Sequence, residues 1–175
     1  MAFLFVTKYF EFILKKTYIK KNIQPPKKES TMASFYNYEC EKFTWDKVNG
    51  LYQINNEFKI TMDDKETKYT ITIKPGFRTD GGSVPWPASL YFKSWTKDYK
   101  YNGCFVLHDA LYSTNYVKRE IADDMLRCAL RDCGKSRRYA GIICGAVKKF
   151  AEKHYGPEND KTNERDFVKF FSDKL

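Results

Sequence analysis

Only two histidines occur among the 175 residues, and His108 stands beside a carboxylate in the apolar run FVLHDALY (105–112). Burying a polar group without a partner costs roughly 2–7 kcal/mol, so this pair either points out of the core or does chemistry. On a helix, Tyr112 lies beside both His108 and Asp109, because it follows them by four and three residues. His108 and Asp109 themselves point about 100° apart, so a carboxylate that orients His108 as a base has to come from elsewhere.

The next predicted helix supplies two such carboxylates, Asp123 and Asp124. The turn between the helices, near residues 113–115, is short, so we expect the helices to run antiparallel with one of these aspartates facing His108. If Arg78, Arg119 or Trp86 fills the space between Asp109 and the loop around Asp80, the arrangement is structural.

Asp109 is then available for a cation. Calcium takes roughly six to eight oxygen ligands, typically carboxylates and backbone carbonyls. The loop that can present both holds Thr79, Asp80, Gly81 and Gly82, with Ser83 as a further supporting residue. The alternative is a structural one, with Asp80 as a turn former, the glycines allowing positive φ, and the histidine cluster as a polar network at the edge of the core.

The elements around these residues predict an α+β fold with a small N-terminal antiparallel β-sheet, a long ordered loop and a three-helix C-terminal half. Short aromatic or β-branched segments predict the strands, with Asn49-Gly50 as a hairpin turn and 63–65 as a polar turn. The predicted strands cover 43–45, 51–60 and 68–73, the loop covers 74–87, and the helices cover about 99–113, 117–132 and 136–154. Three prolines and three glycines predict no regular structure in the loop.

Charge and composition divide the chain into three parts. Residues 1–34 predict a weakly structured basic leader, since residues 1–31 hold seven lysines and two glutamates, or +5 of the net +9. Residues 35–156 predict a single α+β domain, and 157–175 a polar tail with a short helix at 167–171.

The five cysteines form no CxxC pair, which argues against a zinc site and a disulfide framework. No apolar run is long enough for a membrane span, and no cleavage site follows the first residues, so we expect the host cytoplasm or a virion rather than secretion by a signal peptide.

Three motifs in order carry a first resemblance: PGFRTDGGSVP (75–85), VLHDALY (106–112) and REIAD (119–123). Followed by an apolar and basic helix, they resemble, over about residues 68–155, the phage and prophage family known only as domain of unknown function 1353. The resemblance implies a viral or prophage origin and no particular activity.

A second, local resemblance rests on His108-Asp109-x-x-Tyr112 and Asp123. These residues are similar to the active-site helices of secreted phospholipases A2. The resemblance implies that His108 is the general base, that Asp109 binds calcium together with loop carbonyls, and that Asp123 and Tyr112 hold the histidine. The sequence departs from that family in lacking the flanking cysteines that staple the two helices and in the form of its glycine-rich loop.

These patterns leave two main functions open. One is a noncatalytic phage accessory protein that acts in the virion or on a host factor. The other is a calcium-dependent ester or lipid hydrolase, with the basic residues Arg137, Arg138, Lys148 and Lys149 against an anionic lipid surface. Another metal-dependent hydrolase is disfavoured because the chain has too few histidines. Specific nucleic-acid recognition is not expected, since more than half of the net charge lies in residues 1–31.

Overall fold

The computed structural model describes residues 36–82, 95–151, 155–156 and 164–175, all within one compact unit, Ser34–Leu175. Strands fill the first half of this unit and helices most of the second, which confirms the α+β class. The strands are β1 (Asn37–Cys40), β2 (Trp45–Val48), β3 (Leu51–Ile54), β4 (Phe58–Asp63), β5 (Thr67–Ile73), β6 (Arg78–Thr79) and β7 (Val168–Lys174). The helices are α1 (Tyr99–Thr114), α2 (Arg119–Asp132) and α3 (Arg137–Phe150). The predicted leader, 1–34, lies outside the described residues.

The strands form two antiparallel sheets rather than the one predicted. The larger sheet has the order β1-β4-β5-β7 and the smaller one the order β2-β3-β6. On β4, Phe58, Ile60 and Met62 alternate inward and join the core that also covers α1. This alternation is typical of a sheet with one face buried.

The sequence prediction of one strand over 51–60 is wrong, because this stretch divides between β3 and β4 in different sheets. The break lies at Asn55 and Asn56, whose side chains bond elsewhere: Asn55 donates to Asp46 Oδ2 at 2.9 Å, and Asn56 Oδ1 accepts from the Thr44 amide at 2.7 Å. Asparagine amides that compete for backbone groups favour turns over ladders.

Both predicted turns are confirmed. Asn49 and Gly50 have φ of 51° and 84° between β2 and β3, as a tight hairpin turn requires. Asp64 closes the turn between β4 and β5 by accepting the amides of Glu66 and Thr67.

The loop predicted over 74–87 contains one short strand. Arg78 and Thr79 form β6 and pair with Gln53 and Tyr52 of β3, so regular structure was wrongly excluded there. The pairing matters for the site because it fixes Thr79, whose side chain points into the protein and is 3% exposed.

The predicted helix at 167–171 is also wrong. A single 3-10 turn, Glu164–Phe167, leads directly into β7, which pairs with β5 over its whole length. The C-terminal segment therefore completes the larger sheet instead of forming a separate tail. Its partner strand lies about a hundred residues earlier in the chain, and no local pattern reports such a pairing.

The three helices follow the prediction closely, except that α3 ends at Phe150 rather than at 154. Asp98 caps α1 by accepting the amides of Lys100 and Tyr101, and Asn115 ends it in the left-handed conformation. Twelve of the 16 residues of α1 are buried, so α1 is the central helix and its polar residues need internal partners. Among the described residues, no helix combines the length and the hydropathy that a membrane crossing requires.

Candidate functional site

The candidate site lies where α1 meets α2 and β6. Contacts of Cys104 with Cys133 and of His108 with Asp123 show that α1 and α2 run antiparallel, as predicted. The short link between them places the middle of α1 beside the first turns of α2. His108 and Asp123 are 6% and 2% exposed, so both are held in the interior.

Asp123 is the carboxylate that faces His108. Its Oδ1 lies 3.1 Å from His108 Nε2 and accepts the Tyr112 hydroxyl at 2.6 Å. The rings of His108 and Tyr112 are in contact, with centroids 4.0 Å apart and their planes tilted by 37°. Asp124 instead points outward and accepts from Arg127 Nη2 at 2.7 Å on its own helix.

Burial and the neighbouring polar groups shift the pKa values of His108 and Asp123 in opposite directions. Burial lowers the pKa of His108, but the carboxylates of Asp109 and Asp123 outweigh it, so the pKa is raised above its usual value. Burial would raise the pKa of Asp123, yet the bonds from His108 and Tyr112 reverse this and lower it. Asp123 is therefore ionised near neutral pH and can fix the orientation and tautomer of the imidazole.

The second ring nitrogen of His108 is turned toward Asp109. Nδ1 lies 3.9 Å from Asp109 Oδ1, which is too long for a hydrogen bond. With Nε2–H donating to Asp123, Nδ1 carries the lone pair. This is the arrangement of a histidine that can take a proton from a water molecule.

Asp109 is tied to β6, and β6 to the loop that follows it. The Thr79 hydroxyl donates a short hydrogen bond to Asp109 Oδ2, and the Gly81 amide donates to Thr79 Oγ1 at 2.9 Å. Asp80 Oδ1 accepts the Gly82 amide at 2.9 Å, which makes it a turn former as well. Burial, followed by the charge of Asp80, raises the pKa of Asp109.

Two glycines let the loop pass this close to α1. Gly81 and Gly82 have φ of 75° and 72°, which strains any residue with a side chain. A Cβ at Gly82 would also collide with the ring of Phe105 on α1. Ser83, predicted as a further loop residue, lies outside the described residues.

Oxygen donors of the kind that calcium takes lie on Asp109 and on Thr79, which bonds to it. Asp80 adds an exposed carboxylate next to Thr79 in the chain, and its charge, after burial, raises the pKa of Asp109. Over the described ranges, no three histidine, cysteine or acidic side chains are grouped to hold a metal ion. A calcium ion here would therefore depend on backbone carbonyls for most of its ligands.

Arg78 and Arg119 make different contacts around the site. Arg78 Nε contacts Gln53 on the smaller sheet. Arg119 Nε lies 4.0 Å from Asp123 Oδ2, and its Nη2 donates to the Lys148 carbonyl at 2.7 Å, so it joins α2 to α3. Trp86 lies outside the described residues.

Sequence reasoning missed three supporting contacts. Arg119 stands four residues before Asp123, a spacing that would have indicated the ion pair. The ring of Tyr155 packs edge-on against Tyr112, with centroids 5.3 Å apart, and nothing in the local sequence signals that contact. Cys104 and Cys133, a thiol pair that no short motif signals, place their sulfurs 3.6 Å apart between α1 and α2.

The other predicted residues lie away from this cluster. Arg137 and Arg138 begin α3, and Lys148 and Lys149 are near its end, all exposed. Cys104 and Cys144 are buried as expected of small core residues, whereas Cys128 is half-buried.

A family model described as "Protein of unknown function (DUF1353)" matches residues 52–147. The match runs from β3 to α3, covers more than half of the chain and includes all residues of the His108 and Asp109 cluster. No curated protein and no solved structure is similar enough to the chain to be matched.

Proposed function

The chain belongs to this family of proteins of unknown function, DUF1353, and we propose that it is a hydrolase of acyl esters in which His108 is the general base. The observation that carries the proposal is the buried Asp123 carboxylate, which lies 3.1 Å from His108 Nε2 and accepts the Tyr112 hydroxyl at 2.6 Å. An ionised carboxylate orients the imidazole through Nε2, and the lone pair on Nδ1 is left to accept a proton. This is the combination of a general base and its orienting group.

In the proposed reaction, His108 Nδ1 takes a proton from a water molecule as the water oxygen attacks the ester carbonyl carbon. The tetrahedral intermediate then collapses, and the protonated His108 returns the proton to the leaving alcohol. The products are a carboxylic acid and an alcohol. Asp123 stabilises the imidazolium throughout, and Tyr112 keeps Asp123 in place. General base catalysis of this kind typically contributes 10²–10⁴-fold to a rate.

The proposal includes calcium, with Asp109 and Asp80 as its carboxylate ligands. When bound, the ion would supply polarisation of the ester carbonyl. Burial, followed by the charge of Asp80, raises the pKa of Asp109, and a bound cation would favour the ionised form of both carboxylates. The local resemblance to secreted phospholipases A2 suggests a phospholipid as the ester.

A second candidate is a noncatalytic accessory protein of a phage or prophage, in the host cytoplasm or the virion, that acts on a viral or host protein. Two observations favour it. His108 is only 6% exposed, and the bond from Thr79 to Asp109 joins β6 to α1, as a structural clamp would.

The experiment is ester hydrolysis by the full chain with calcium present, using phospholipid vesicles and a soluble short-chain ester. The variants are His108→Asn, Asp109→Asn and, as a matched carboxylate control, Asp124→Asn. The proposal predicts a loss of about 10²-fold or more for His108→Asn and an unchanged rate for Asp124→Asn. Equal rates for the wild type and His108→Asn, or no hydrolysis of either ester by a folded wild type, would favour the accessory protein.

Calcium binding is measured separately by calorimetric titration. We expect Asp109→Asn to abolish the heat of calcium binding, since it removes the more buried of the two carboxylates. Unchanged binding in Asp109→Asn would remove calcium from this site without touching the role of His108.

A further inference from the structure

The outer side of α3 carries a concentration of positive charge that nothing in the helix balances. Arg137 and Arg138 stand in its first turn and Lys148 and Lys149 in its last, all four exposed, and the helix contains no acidic residue. Cations near a helix N-terminus oppose the helix dipole. The two arginines therefore have the charge that the dipole disfavours at this end of α3.

Apolar side chains are exposed beside these charges. Ile142 and Phe150 are 47% and 49% exposed, and they are two of only five large hydrophobic side chains exposed among the described residues. Arg138, Ile142 and Lys149 recur at intervals of four and seven residues, so they share one side of the helix. We call this side, with Gly141 and Gly145 and with Arg137 and Lys148 at its flank, the outer face of α3. Phe150 lies outside it, about 160° around the helix from Lys148.

The outer face also exposes bare backbone. Gly141 and Gly145 lie inside the helix, where glycine is the least favourable residue apart from proline. Within the described part of the chain, nothing would lie within 4 Å of a Cβ at either position. The fold therefore does not demand glycine at these positions, and their smooth surface suits a broad contact from outside.

We infer that the outer face of α3 binds an anionic lipid surface. Lysine and arginine attract the negative headgroups, while exposed aliphatic and aromatic side chains enter the boundary between headgroups and acyl chains. A nucleic acid would use the four cations but gives no role to Ile142. Charge complementarity together with the exposed Ile142 therefore selects lipid over nucleic acid.

This surface does not depend on the hydrolysis proposed for His108. It lies on α3, whose inner side packs against α2 behind Asp123, where Cys144 contacts the Asp123 carbonyl. If the ester is a phospholipid, the outer face holds the protein at its substrate. If the protein does not hydrolyse esters, the outer face remains a membrane-docking surface.

The test is sedimentation of the full chain with vesicles of phosphatidylcholine alone and of phosphatidylcholine mixed with phosphatidylserine. The charge variant is Lys148→Gln with Lys149→Gln, and the apolar variant is Ile142→Ser. The control is Lys59→Gln with Lys68→Gln, which removes the same charge from exposed positions of β4 and β5. His108→Asn is measured in parallel, so that hydrolysis of the vesicles cannot alter the result.

We expect binding only to the vesicles with phosphatidylserine, weakened about fivefold for each lysine removed and also weakened by Ile142→Ser. The control and His108→Asn should bind as the wild type does. Equal losses in the control and the charge variant would overturn the inference, because the effect would then be general charge. A second combination of results would also overturn it. In that combination, the chain binds duplex DNA, Lys148→Gln with Lys149→Gln weakens the DNA binding, and Ile142→Ser leaves vesicle binding intact.

Discussion

Replacing Asp123 with asparagine tests the centre of the site. Asparagine has the shape of aspartate and keeps one carbonyl oxygen, but it removes the charge that His108 and Tyr112 share. Asp123 is 2% exposed, so water cannot replace the lost interaction.

The magnitude follows from the two hydrogen bonds to Oδ1. A hydrogen bond to a charged group contributes roughly 1.5–3 kcal/mol and a neutral one roughly 0.5–1.5. Losing the charge from two bonds therefore lowers the free energy of unfolding by about 2–3 kcal/mol when His108 is protonated. When His108 is neutral, the loss falls to about 1–2 kcal/mol, because the imidazolium no longer contributes.

The pH dependence follows from the raised pKa of His108. A raised folded-state pKa adds stability that is fully present below the unfolded value, 6.5, and is lost as the pH rises through the folded value. Asp123→Asn removes the part of this stability that Asp123 contributes and leaves the part that comes from Asp109. The destabilisation should therefore be larger at about pH 5.5 than at about pH 8.5.

Urea unfolding of the wild type and Asp123→Asn at both pH values measures these differences. Asp124→Asn is the control, because Asp124 pairs with Arg127 at the surface and such pairs contribute about 1 kcal/mol or less. Equal destabilisation by Asp123→Asn at both pH values would refute the claim that Asp123 holds a protonated His108.

Three further predictions concern the packing around the site. Gly82→Ala should lower the free energy of unfolding by roughly 1–3 kcal/mol, because of its positive φ and the ring beside it; a smaller loss in thermal unfolding would show that the loop can move away from α1. Tyr112→Phe should cost about 1–2 kcal/mol by removing one hydrogen bond from Asp123, and urea unfolding without a loss would mean that this bond is not made. A peroxide should join Cys104 and Cys133 in a disulfide that closes about 30 residues and raises stability by about 3–4 kcal/mol; peptide mapping that finds both thiols intact would contradict their 3.6 Å separation.

Local patterns predicted the helical half well. The second and third helices, α2 and α3, each have an apolar side at the helical period, whereas α1 is apolar nearly all round. Asp98 and Asn115 bound α1, and Gly134, with positive φ, follows α2. The strands were harder, because their partners are set by contacts between distant segments. The run from 51 to 60 reads as one strand until the side-chain bonds of Asn55 and Asn56 divide it.

The same distinction holds for the site. The spacing of His108 and Tyr112 predicted a shared helix face, and the short turn predicted a partner carboxylate on the next helix. Spacing alone left Asp123 and Asp124 open, because a sequence does not give the rotation of α2 about its axis, and only the resemblance to secreted phospholipases A2 named Asp123. The bond from Thr79 to Asp109 joins a strand to a helix 30 residues later, and it depends on the pairing of β6 that the sequence did not predict.

The measurement that tests the central claim most directly is the rate of ester hydrolysis by the wild type as a function of pH. A general base has to be neutral, and the pKa of His108 is raised. We therefore predict that the rate rises with pH through a single ionisation above the ordinary histidine value, and that Asp123→Asn moves this ionisation to lower pH. Two results would contradict the role of His108 as the base. One is a rate that does not change as the pH rises past the ordinary histidine pKa, and the other is a rate whose apparent pKa is the same in Asp123→Asn as in the wild type.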